Sequence, residues 1–255
     1  MNGLFDISGK KVIFTGASGG LGRGLVEGFL EAGAEVAMIG ASSKSINMAK
    51  EYYLRGWKAY GIQCDFSNRE AVSNSFDYAL KLLGGKLDVL VNAAGIQRRH
   101  KSEEFPINDW DAVIEVNLTA SFILCQLAGN KMIEQGSGGK IINFASMLSF
   151  FGGYTVPAYA ASKGAVAQLT KALCNEWAKY GINVNAIAPG YMDTPMNTAL
   201  TDPTNPRFKE ITSRIPCGRW GTPEDIKGLG IFLASRASDY INGAIIPCDG
   251  GYLVN

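Results

Sequence analysis

Short apolar runs alternate with helix-forming stretches along this 255-residue chain. Most of these runs are apolar at consecutive positions, which predicts strands buried on both faces rather than strands with one face in water. Such strands occur in parallel sheets that are covered by helices on both sides. The sequence therefore predicts an α/β fold with a doubly wound parallel sheet, formed as a single domain by residues 1–255, whose ligands bind beyond the carboxyl ends of the strands. The predicted strands are residues 12–14, 36–39, 89–91, 141–142, 182–187 and 244–246.

Composition limits which classes of partner and which cellular compartment are expected for the protein. The 24 basic and 23 acidic residues nearly cancel, so no net basic field favours nucleic acid or a membrane surface as a partner. The first residues lack a basic segment followed by an apolar stretch, and no apolar run approaches ~18 residues. The five cysteines contain no Cys-x-x-Cys pair, and the single histidine, His100, has no partner nearby in the sequence. We therefore expect a cytoplasmic protein without disulfides, a metal or a membrane span.

A glycine-rich turn joins the first predicted strand to the first predicted helix and reads TGASGGLG over residues 15–22. Glycine lets the backbone turn sharply, lets a pyrophosphate approach, and lets the helix pack closely against the sheet. The free N–H groups and the positive dipole end of the following helix then favour phosphate oxygens. The position of this turn, directly after a strand and at the start of a helix, predicts a dinucleotide site.

A tyrosine and a lysine are four residues apart in Tyr159-Ala160-Ala161-Ser162-Lys163, where a long helical stretch begins. Side chains at i and i+4 lie on one helix face, so the phenol and the ammonium project to the same side. A free phenol has a pKa of ~10, and a nearby ammonium is expected to lower it, which suits proton transfer. This spacing alone is also consistent with a surface pair. Ser146 follows a predicted strand at the ligand edge, and Asn117 places an amide inside an apolar helical stretch.

These motifs occur in the order found in the short-chain dehydrogenase/reductase family, and they resemble that family's pattern along the whole chain. The pattern comprises Thr-Gly-x-x-x-Gly-x-Gly at 15–22, Asn-Ala-Ala-Gly at 92–95 (Asn-Asn-Ala-Gly in the family), Asn117, Ser146, Tyr-x-x-x-Lys at 159–163 and Pro189-Gly190 with Thr194. The resemblance implies a Rossmann-like sheet and an enzyme that transfers a hydride between a nicotinamide cofactor and a secondary alcohol or ketone.

The resemblance also implies the roles of four residues. Tyr159 would be the acid/base, and Lys163 would be its electrostatic partner and a ribose ligand. Together with the positive charge of the oxidised nicotinamide, the Lys163 ammonium is expected to favour the phenolate of Tyr159 and so to lower its pKa. Ser146 would orient and polarise the substrate oxygen. Asn117 would hold a water that relays protons to Lys163.

The cofactor residues follow from the same resemblance. Asp65, after an expected third strand, would contact the adenine ring, unless it is a turn or helix-capping residue. Residues 40–44 read GASSK, without the carboxylate that selects NAD or the arginine that pairs with the 2′-phosphate of NADP. We expect NAD, with NADP left open. The predicted cofactor-binding residues are Gly16, Ser18, Gly20, Leu21, Gly22, Asp65, Phe66, Asn92, Tyr159, Lys163, Pro189, Gly190, Met192 and Thr194.

Several stretches resemble one branch of the family more closely, namely residues 95–99, 145–150, 175–179, 185–192 and 215–221. This branch contains the 2-deoxy-D-gluconate 3-dehydrogenases, also called 2-dehydro-3-deoxy-D-gluconate 5-dehydrogenases. The resemblance implies a keto-deoxy sugar acid as the substrate. Two other activities fit the same motifs, gluconate 5-dehydrogenase and 3-oxoacyl thioester reductase. A dinucleotide-sensing regulator without activity would be expected to lack part of the Ser/Tyr/Lys set.

An acidic sugar requires a cation for its carboxylate, and Arg98 and Arg99 follow the fourth-strand turn on the ligand side of the sheet. Adjacent side chains seldom point the same way, so at most one of them is expected to bind substrate, and solvated loop charges are the alternative. The predicted substrate-binding residues are Arg98, Arg99, Ser146, Met147, Tyr154 and Tyr159.

One segment interrupts the regular alternation of strands and helices. Residues 192–216 contain Pro195, Pro203, Pro206 and Pro216 among many polar residues, which is typical of a lid over a binding site, here with a short helix around 207–213. The family resemblance further implies a homotetramer, in which the helices around 117–132 and 159–180 pair with their copies.

Overall fold

The computed structural model describes residues 3–202 and 204–255, and these contain seven strands in one parallel sheet of order β3-β2-β1-β4-β5-β6-β7. The doubly wound α/β fold predicted from the sequence is confirmed. The strands are β1 (Lys11–Thr15), β2 (Glu35–Gly40), β3 (Ala59–Gln63), β4 (Val89–Asn92), β5 (Gly139–Phe144), β6 (Ile182–Pro189) and β7 (Ile245–Cys248). Met1, Asn2 and Pro203 lie outside the described residues.

Helices separate the strands and cover both faces of the sheet. They are α1 (Gly20–Glu31), α2 (Lys44–Leu54), α3 (Arg69–Leu82), α4 (Ile107–Ile114), α5 (Ala120–Gln135), α6 (Pro157–Trp177), α7 (Thr198–Thr201), α8 (Pro206–Ser213) and α9 (Pro223–Ala234).

Two apolar cores, one on each face of the sheet, explain the unbroken apolar runs in the sequence. Val12 and Phe14 of β1 pack into the core that α1 and α9 cover. Ile13, between them, packs into the opposite core, formed with α3 and α5. Because successive side chains of a strand point to opposite faces, a strand buried on both sides needs apolar residues at every position.

The strand register brings the turns after several strands to one edge of the sheet. Thr15, at the end of β1, lies beside Asn92, which ends β4. Asn92 in turn lies beside Asn143 of β5, and Asn143 lies beside Ala186 of β6. The glycine-rich turn and the segments that follow β4, β5 and β6 therefore meet at the carboxyl edge, where ligands of such sheets bind.

The helical segment Ile107–Gln135 is long and apolar enough to span a membrane by length and composition, with a mean hydropathy of 1.5. It lies on one face of the sheet instead, where α5 packs against α3 and the two central strands β4 and β5. Only 44% of its most apolar stretch is buried within the chain. The segment is therefore a core helix that also presents apolar surface to the outside.

The segment 192–216 is more helical than the sequence predicted. The short helix expected around 207–213 is confirmed as α8, and a 3₁₀ turn, Pro195–Asn197, and α7 precede it. Pro195 and Pro206 each occupy the start of a helical turn, where the missing N–H costs nothing and the fixed φ favours the helix. These two prolines therefore begin helical turns in this segment. Pro203, also in this segment, lies outside the described residues.

Candidate active site

The glycine-rich turn passes close to the segment that follows β4. Gly16 has φ +70°, and a Cβ atom placed on it would lie 2.6 Å from the backbone carbon of Ala93. Just beside this contact, the Ala94 N–H donates to the Thr15 hydroxyl oxygen at 3.2 Å. A side chain at position 16 would separate the two turns, which explains the need for glycine here.

The start of α1 is suited to a pyrophosphate. The helix begins after Gly19, which provides no side-chain cap, and its first turn contains no acidic residue. Its leading N–H groups are therefore available to phosphate oxygens, and no carboxylate competes for them. A Cβ atom on Gly20 would lie 2.9 Å from Thr194 and Pro195, so these residues after β6 line the same crevice. Gly16, Gly20, Leu21, Gly22 and Thr194 are thus brought together, as the cofactor prediction requires.

Two other predicted cofactor residues, Ser18 and Asp65, lie in turns. Ser18 belongs to the glycine-rich turn and lies beside Gly40, the last residue of β2, where a Cβ atom on Gly40 would be 3.3 Å from the Ser18 hydroxyl oxygen. Asp65 accepts hydrogen bonds from the Ser67 N–H at 2.9 Å and the Ser67 hydroxyl at 2.7 Å, both at Oδ1. Asp65 is therefore a turn residue, the alternative that the sequence left open, and any adenine contact would come from the rest of its carboxylate.

Three predicted cofactor residues have buried side chains. Phe66 packs in the core with the strands, and Met192 is 2% exposed and lies against Gly221. The Asn92 amide nitrogen donates to Asn143 Oδ1 at 3.0 Å. These residues can present only their backbone to a cofactor, except that Asn92 Oδ1 is buried without a hydrogen-bond partner among the described atoms. Pro189 ends β6 and Gly190 follows it at the ligand edge.

No carboxylate follows β2 at the place where NAD-selective sites hold one. A Cβ atom on Gly40 would lie 3.2 Å from that of Ser45, so a larger side chain does not fit without movement. Lys44 begins α2, and Ser43 in front of it provides no side-chain cap for that helix. The Lys44 N–H donates to the Ser42 hydroxyl oxygen at 3.4 Å. This corner therefore offers hydroxyls and a cation, and residues 40–44 contain no negative charge to repel a 2′-phosphate.

Ser146, Tyr159 and Lys163 converge at the carboxyl edge. Ser146 follows β5, is 7% exposed, and accepts a hydrogen bond from the Leu148 N–H at 3.2 Å. The Lys163 ammonium lies 5.6 Å from the centre of the Tyr159 ring, one turn along α6. It also donates to the Phe144 carbonyl oxygen at 2.6 Å, two residues before Ser146. The surface-pair alternative is wrong for this lysine, since Lys163 is only 5% exposed.

The ionisation of the pair is governed by burial. Burial raises the pKa of the Tyr159 hydroxyl above its usual value, and a hydrogen bond with Ser146 acts in the opposite direction. Burial also lowers the pKa of the Lys163 ammonium to about 8. The sequence-based expectation of a lowered pKa for Tyr159 includes the positive charge of the oxidised nicotinamide, so it stays a prediction for the protein with that cofactor bound. The ammonium lies over the ring and bonds to a carbonyl, and desolvation outweighs its effect on the phenol.

Asn117 lies in a five-residue π-helical turn, Glu115–Thr119, between α4 and α5. It is 1% exposed and grips the segment after β4, since Oδ1 accepts from the Ile96 N–H at 2.8 Å and Nδ2 donates to the Ile96 carbonyl at 3.0 Å. Its amide also donates to the Ser162 hydroxyl, next to Lys163. The π turn directs the Asn117 side chain toward this segment. These hydrogen bonds explain why an amide occurs in an otherwise apolar helical stretch.

Ser149 is a neighbour of the site that sequence analysis missed. Its hydroxyl donates to the Lys163 carbonyl at 2.7 Å and accepts from the Ser146 N–H at 3.3 Å. It therefore fixes the turn that carries Ser146 against the helix that carries Lys163. The signal available in the sequence was its position three residues after Ser146, typical of a capping box.

A cavity of about 380 Å³ opens beside Ser146 and Tyr159, a volume typical of small-molecule sites. Met147 and Tyr154 line it, as predicted, and so does Arg99. The sequence-based set omitted most of the other lining residues, of which the charged and aromatic ones are Phe151, Tyr191, Arg207, Glu210, Arg214 and Tyr252.

Arg98 does not line this cavity. Its Nε atom lies 3.4 Å from Asp109 Oδ1, while the other oxygen of Asp109 lies 2.6 Å from His100 Nε2. The two residues that flank Arg99 are thus held by one carboxylate. His100 has no partner nearby in the sequence, but the chain turns back through a 3₁₀ turn and brings Asp109, nine residues further on, to it.

Among residues 3–202 and 204–255, no group of three or more His, Cys, Asp or Glu side chains is arranged to hold a metal ion. The five cysteines are free.

Comparison with known proteins gives a consistent picture. A family model described as Enoyl-(Acyl carrier protein) reductase matches residues 16–253. A "2-dehydro-3-deoxy-D-gluconate 5-dehydrogenase" of Pseudoalteromonas atlantica is 47% identical over 251 residues, which is 98% of this chain and 98% of that protein.

Two solved structures share the fold along almost the whole chain. A structure from Beutenbergia cavernae, provisionally described as an NAD(P)-dependent gluconate 5-dehydrogenase with NADP bound at low occupancy, has a TM-score of 0.94 and 42% identity over 99% of this chain and 100% of its own. A gluconate 5-dehydrogenase from Burkholderia cenocepacia, in complex with NADP and tartrate, has a TM-score of 0.93 and 38% identity over 98% of both chains.

Proposed function

The chain belongs to the short-chain dehydrogenase/reductase family and is a nicotinamide-dependent oxidoreductase that acts on CH–OH groups. From this premise we propose that its substrate is a keto-deoxy sugar acid and that Ser146, Tyr159 and Lys163 carry out the chemistry. The reaction converts a secondary alcohol and the oxidised cofactor to a ketone, the reduced cofactor and a proton. The observation that carries the proposal is the meeting of these three side chains beside a cavity of suitable size.

The proton is handled by Tyr159. In the oxidation direction its phenolate would take the hydroxyl proton of the substrate, and in reduction its phenol would give that proton to the developing alkoxide. A nicotinamide dinucleotide, when bound, would accept or supply the hydride, and its oxidised form would add a positive charge to the site. That charge, with the Lys163 ammonium, opposes the desolvation that raises the pKa of Tyr159 in the protein alone.

The remaining residues orient the reacting groups. Ser146 would donate to or accept from the substrate oxygen, since its hydroxyl faces the cavity at the end of β5. Asn117, held by Ile96 and Ser162, would keep an ordered water beside Lys163 and so connect the buried ammonium to solvent. The Gly16–Gly22 turn, Ser18, Asp65 and Thr194 would hold the dinucleotide.

The substrate class is proposed from charge and from the relatives. Arg99 lines the cavity and, among the side chains the structure describes, has no carboxylate within 4 Å. Arg98, bound to Asp109, is disfavoured as a substrate ligand. The relatives act on or bind sugar acids by name, and tartrate in one of them is itself a hydroxy acid. We favour 2-dehydro-3-deoxy-D-gluconate, with gluconate oxidised at C5 as the second candidate because of the solved structures.

The cofactor proposal extends the finding that the enzyme uses a nicotinamide dinucleotide. NAD was expected from the sequence, and both of these solved structures contain NADP. The corner after β2 supports use of both dinucleotides, because it lacks the carboxylate that would repel a 2′-phosphate and provides Lys44.

Three further properties belong to the same proposal. Residues 1–255 would act as one catalytic domain, with residues 192–216 as its lid. The apolar surface of α5, where Phe122 is 41% exposed, would be covered by a second copy in a homotetramer. Free cysteines support action in the reducing cytoplasm.

A spectrophotometric screen tests the proposed function. NADH and NADPH are each offered with 2,5-diketo-3-deoxygluconate, 5-ketogluconate and an acetoacetyl thioester, and loss of the reduced nicotinamide is recorded. The proposal predicts the highest kcat/KM with the first compound. Preference for 5-ketogluconate would favour the gluconate 5-dehydrogenase, and preference for the thioester would contradict the sugar-acid assignment.

A further inference from the structure

The lid segment contributes cations to the cavity that the sequence did not indicate. Arg207 begins the exposed face of α8, Arg214 follows the end of that helix, and both line the cavity. Within the part of the chain that the structure describes, neither guanidinium has a carboxylate within 4 Å. With Arg99 from the β4 segment, three unpaired guanidinium groups and one carboxylate, that of Glu210, surround the same space.

The spacing of these residues explains why they share one side of α8. Arg207 and Glu210 are three residues apart on α8, a spacing that places side chains on one helix face. Arg214, directly after the helix, keeps a helical backbone conformation at φ −90° and ψ −5°, and its position four residues after Glu210 continues that face. Ile211, 4% exposed, packs with Trp220 and Met147 in a small apolar cluster beneath the helix. Met147 follows Ser146 directly, so α8 is anchored next to the proposed catalytic serine.

Additional contacts fix the orientation of α8. The Trp220 ring stacks on Phe208 with centroids 6.0 Å apart, and its Nε1 donates to the Thr212 hydroxyl at 3.0 Å. The helix therefore rests on its apolar side, and its charged side remains at the cavity.

Arg214 lies against an aromatic ring. Its Cζ atom lies 4.7 Å from the centre of the Tyr252 ring, and Tyr252 is only 4% exposed. The Tyr252 ring contacts those of Tyr191 and Phe151, at centroid distances of 5.1 and 6.0 Å. Asn255 donates to the Arg214 carbonyl at 3.2 Å. A guanidinium held over a buried aromatic ring loses little freedom when it binds a carboxylate.

We infer that Arg214, with Arg207 beside it on the lid, binds the carboxylate of the substrate and makes the enzyme selective for acids over neutral sugars. This inference rests on the proposed function. Glu210 opposes the same contact, since its carboxylate reduces the positive charge of this wall. The lid then recognises the acid group while Ser146 and Tyr159 act on the distant hydroxyl.

The test compares kcat/KM for 2-dehydro-3-deoxy-D-gluconate and its carboxamide in four proteins: the wild type, Arg214→Gln, Glu210→Gln and Arg236→Gln. Arg236 is an exposed arginine outside the cavity, so it controls for the loss of one positive charge. We expect Arg214→Gln to lower kcat/KM for the acid by about tenfold or more, with the amide little changed. Glu210→Gln is expected to raise kcat/KM for the acid severalfold, and Arg236→Gln to change neither substrate.

The outcomes separate this inference from the proposed function. Equal losses for acid and amide in Arg214→Gln, or no change in either, would overturn the inference while leaving the proposed function intact. If Arg214→Gln folds poorly, a lower kcat/KM for the acid in Glu210→Gln would overturn it independently. A wild-type enzyme that turns over neither compound would remove both the proposed function and the inference.

Discussion

The Lys163 ammonium lies 5.6 Å from the centre of the Tyr159 ring and is almost completely enclosed by protein. The same burial lowers the pKa of Lys163 to about 8 and raises the pKa of Tyr159. The pKa values of the two groups therefore lie further apart than those of a free ammonium and a free phenol, and in the reverse order, with the lysine pKa below that of the tyrosine. A buried cation that costs stability is retained where it acts on a proton-transferring neighbour.

This burial predicts a pH-dependent contribution of Lys163 to stability. Below about pH 8 the folded protein must hold a desolvated ammonium; between about pH 8 and the unfolded value of 10.5 only the unfolded chain keeps that proton. Stability from this group therefore rises with pH across that window. Relative to Lys163→Met, the wild type should gain roughly 2–3 kcal/mol of unfolding free energy between pH 7 and pH 10. Urea unfolding at several pH values measures it, and a pH-independent difference would contradict it.

The close approach at Gly16 predicts a specific cost for a single methyl group. Gly16→Ala places a Cβ atom 2.6 Å from the Ala93 backbone at a φ of +70°, so we expect a loss of about 1–3 kcal/mol of stability and weaker dinucleotide binding. Gly19→Ala is the matched control for stability, because its Cβ atom would meet nothing closer than 3.4 Å. Denaturant unfolding and fluorescence titration with the dinucleotide compare them. Equal stability of the two variants would refute the role of the turn contact.

Lys44 is predicted to distinguish the two dinucleotides. It begins α2 at the corner after β2, near the place where a 2′-phosphate would lie. Lys44→Ala should raise the Kd for NADPH by about five- to tenfold and leave the Kd for NADH nearly unchanged. Lys50→Ala, which removes an exposed lysine further along the same helix, should alter neither constant. Parallel effects on both cofactors would show that Lys44 does not contact the extra phosphate.

Arg99 and Arg98 provide a paired comparison for the substrate. Arg99 lines the cavity, whereas Arg98 is held by Asp109. Arg99→Ala should raise KM for the sugar acid by about an order of magnitude and leave the Kd for the dinucleotide unchanged. Arg98→Ala should have a smaller effect on KM. Steady-state kinetics with both variants decide the matter, and a larger KM effect from Arg98 would reverse the assignment.

Much of the sheet could be predicted because a strand that is buried on both faces has apolar residues at consecutive positions of the sequence. Residues 12–14 and 36–39 are apolar at each position, and both strands occupy the interior of the sheet. The edge strand β3 could be expected only from its place before Asp65, because its residues, Ala59–Gln63, include partly exposed positions. Where one side of a strand faces water, polar residues interrupt the apolar run, and the ends of the strand cannot be located from the sequence.

The charged part of the site was harder to predict than the catalytic part. Tyr159 and Lys163 are close in sequence and share a helix face, so their spacing is informative. His100 and Asp109 meet across an irregular turn, and Arg207 and Arg214 resemble the solvated face of a polar helix. Their significance depends on which side of α8 is anchored by Ile211 and Trp220, which is a tertiary contact. The desolvation that raises the pKa of Tyr159 could not be predicted from the sequence for a related reason, since it depends on the whole fold.

The central claim is that Tyr159 transfers the proton, and Tyr159→Phe tests it most directly because the variant keeps the ring and removes only the hydroxyl. Turnover of the best substrate from the screen is measured together with the Kd for the dinucleotide. The account predicts that kcat falls by about 100- to 10,000-fold while that Kd changes by less than about threefold. Near-normal turnover by Tyr159→Phe with intact dinucleotide binding would contradict it.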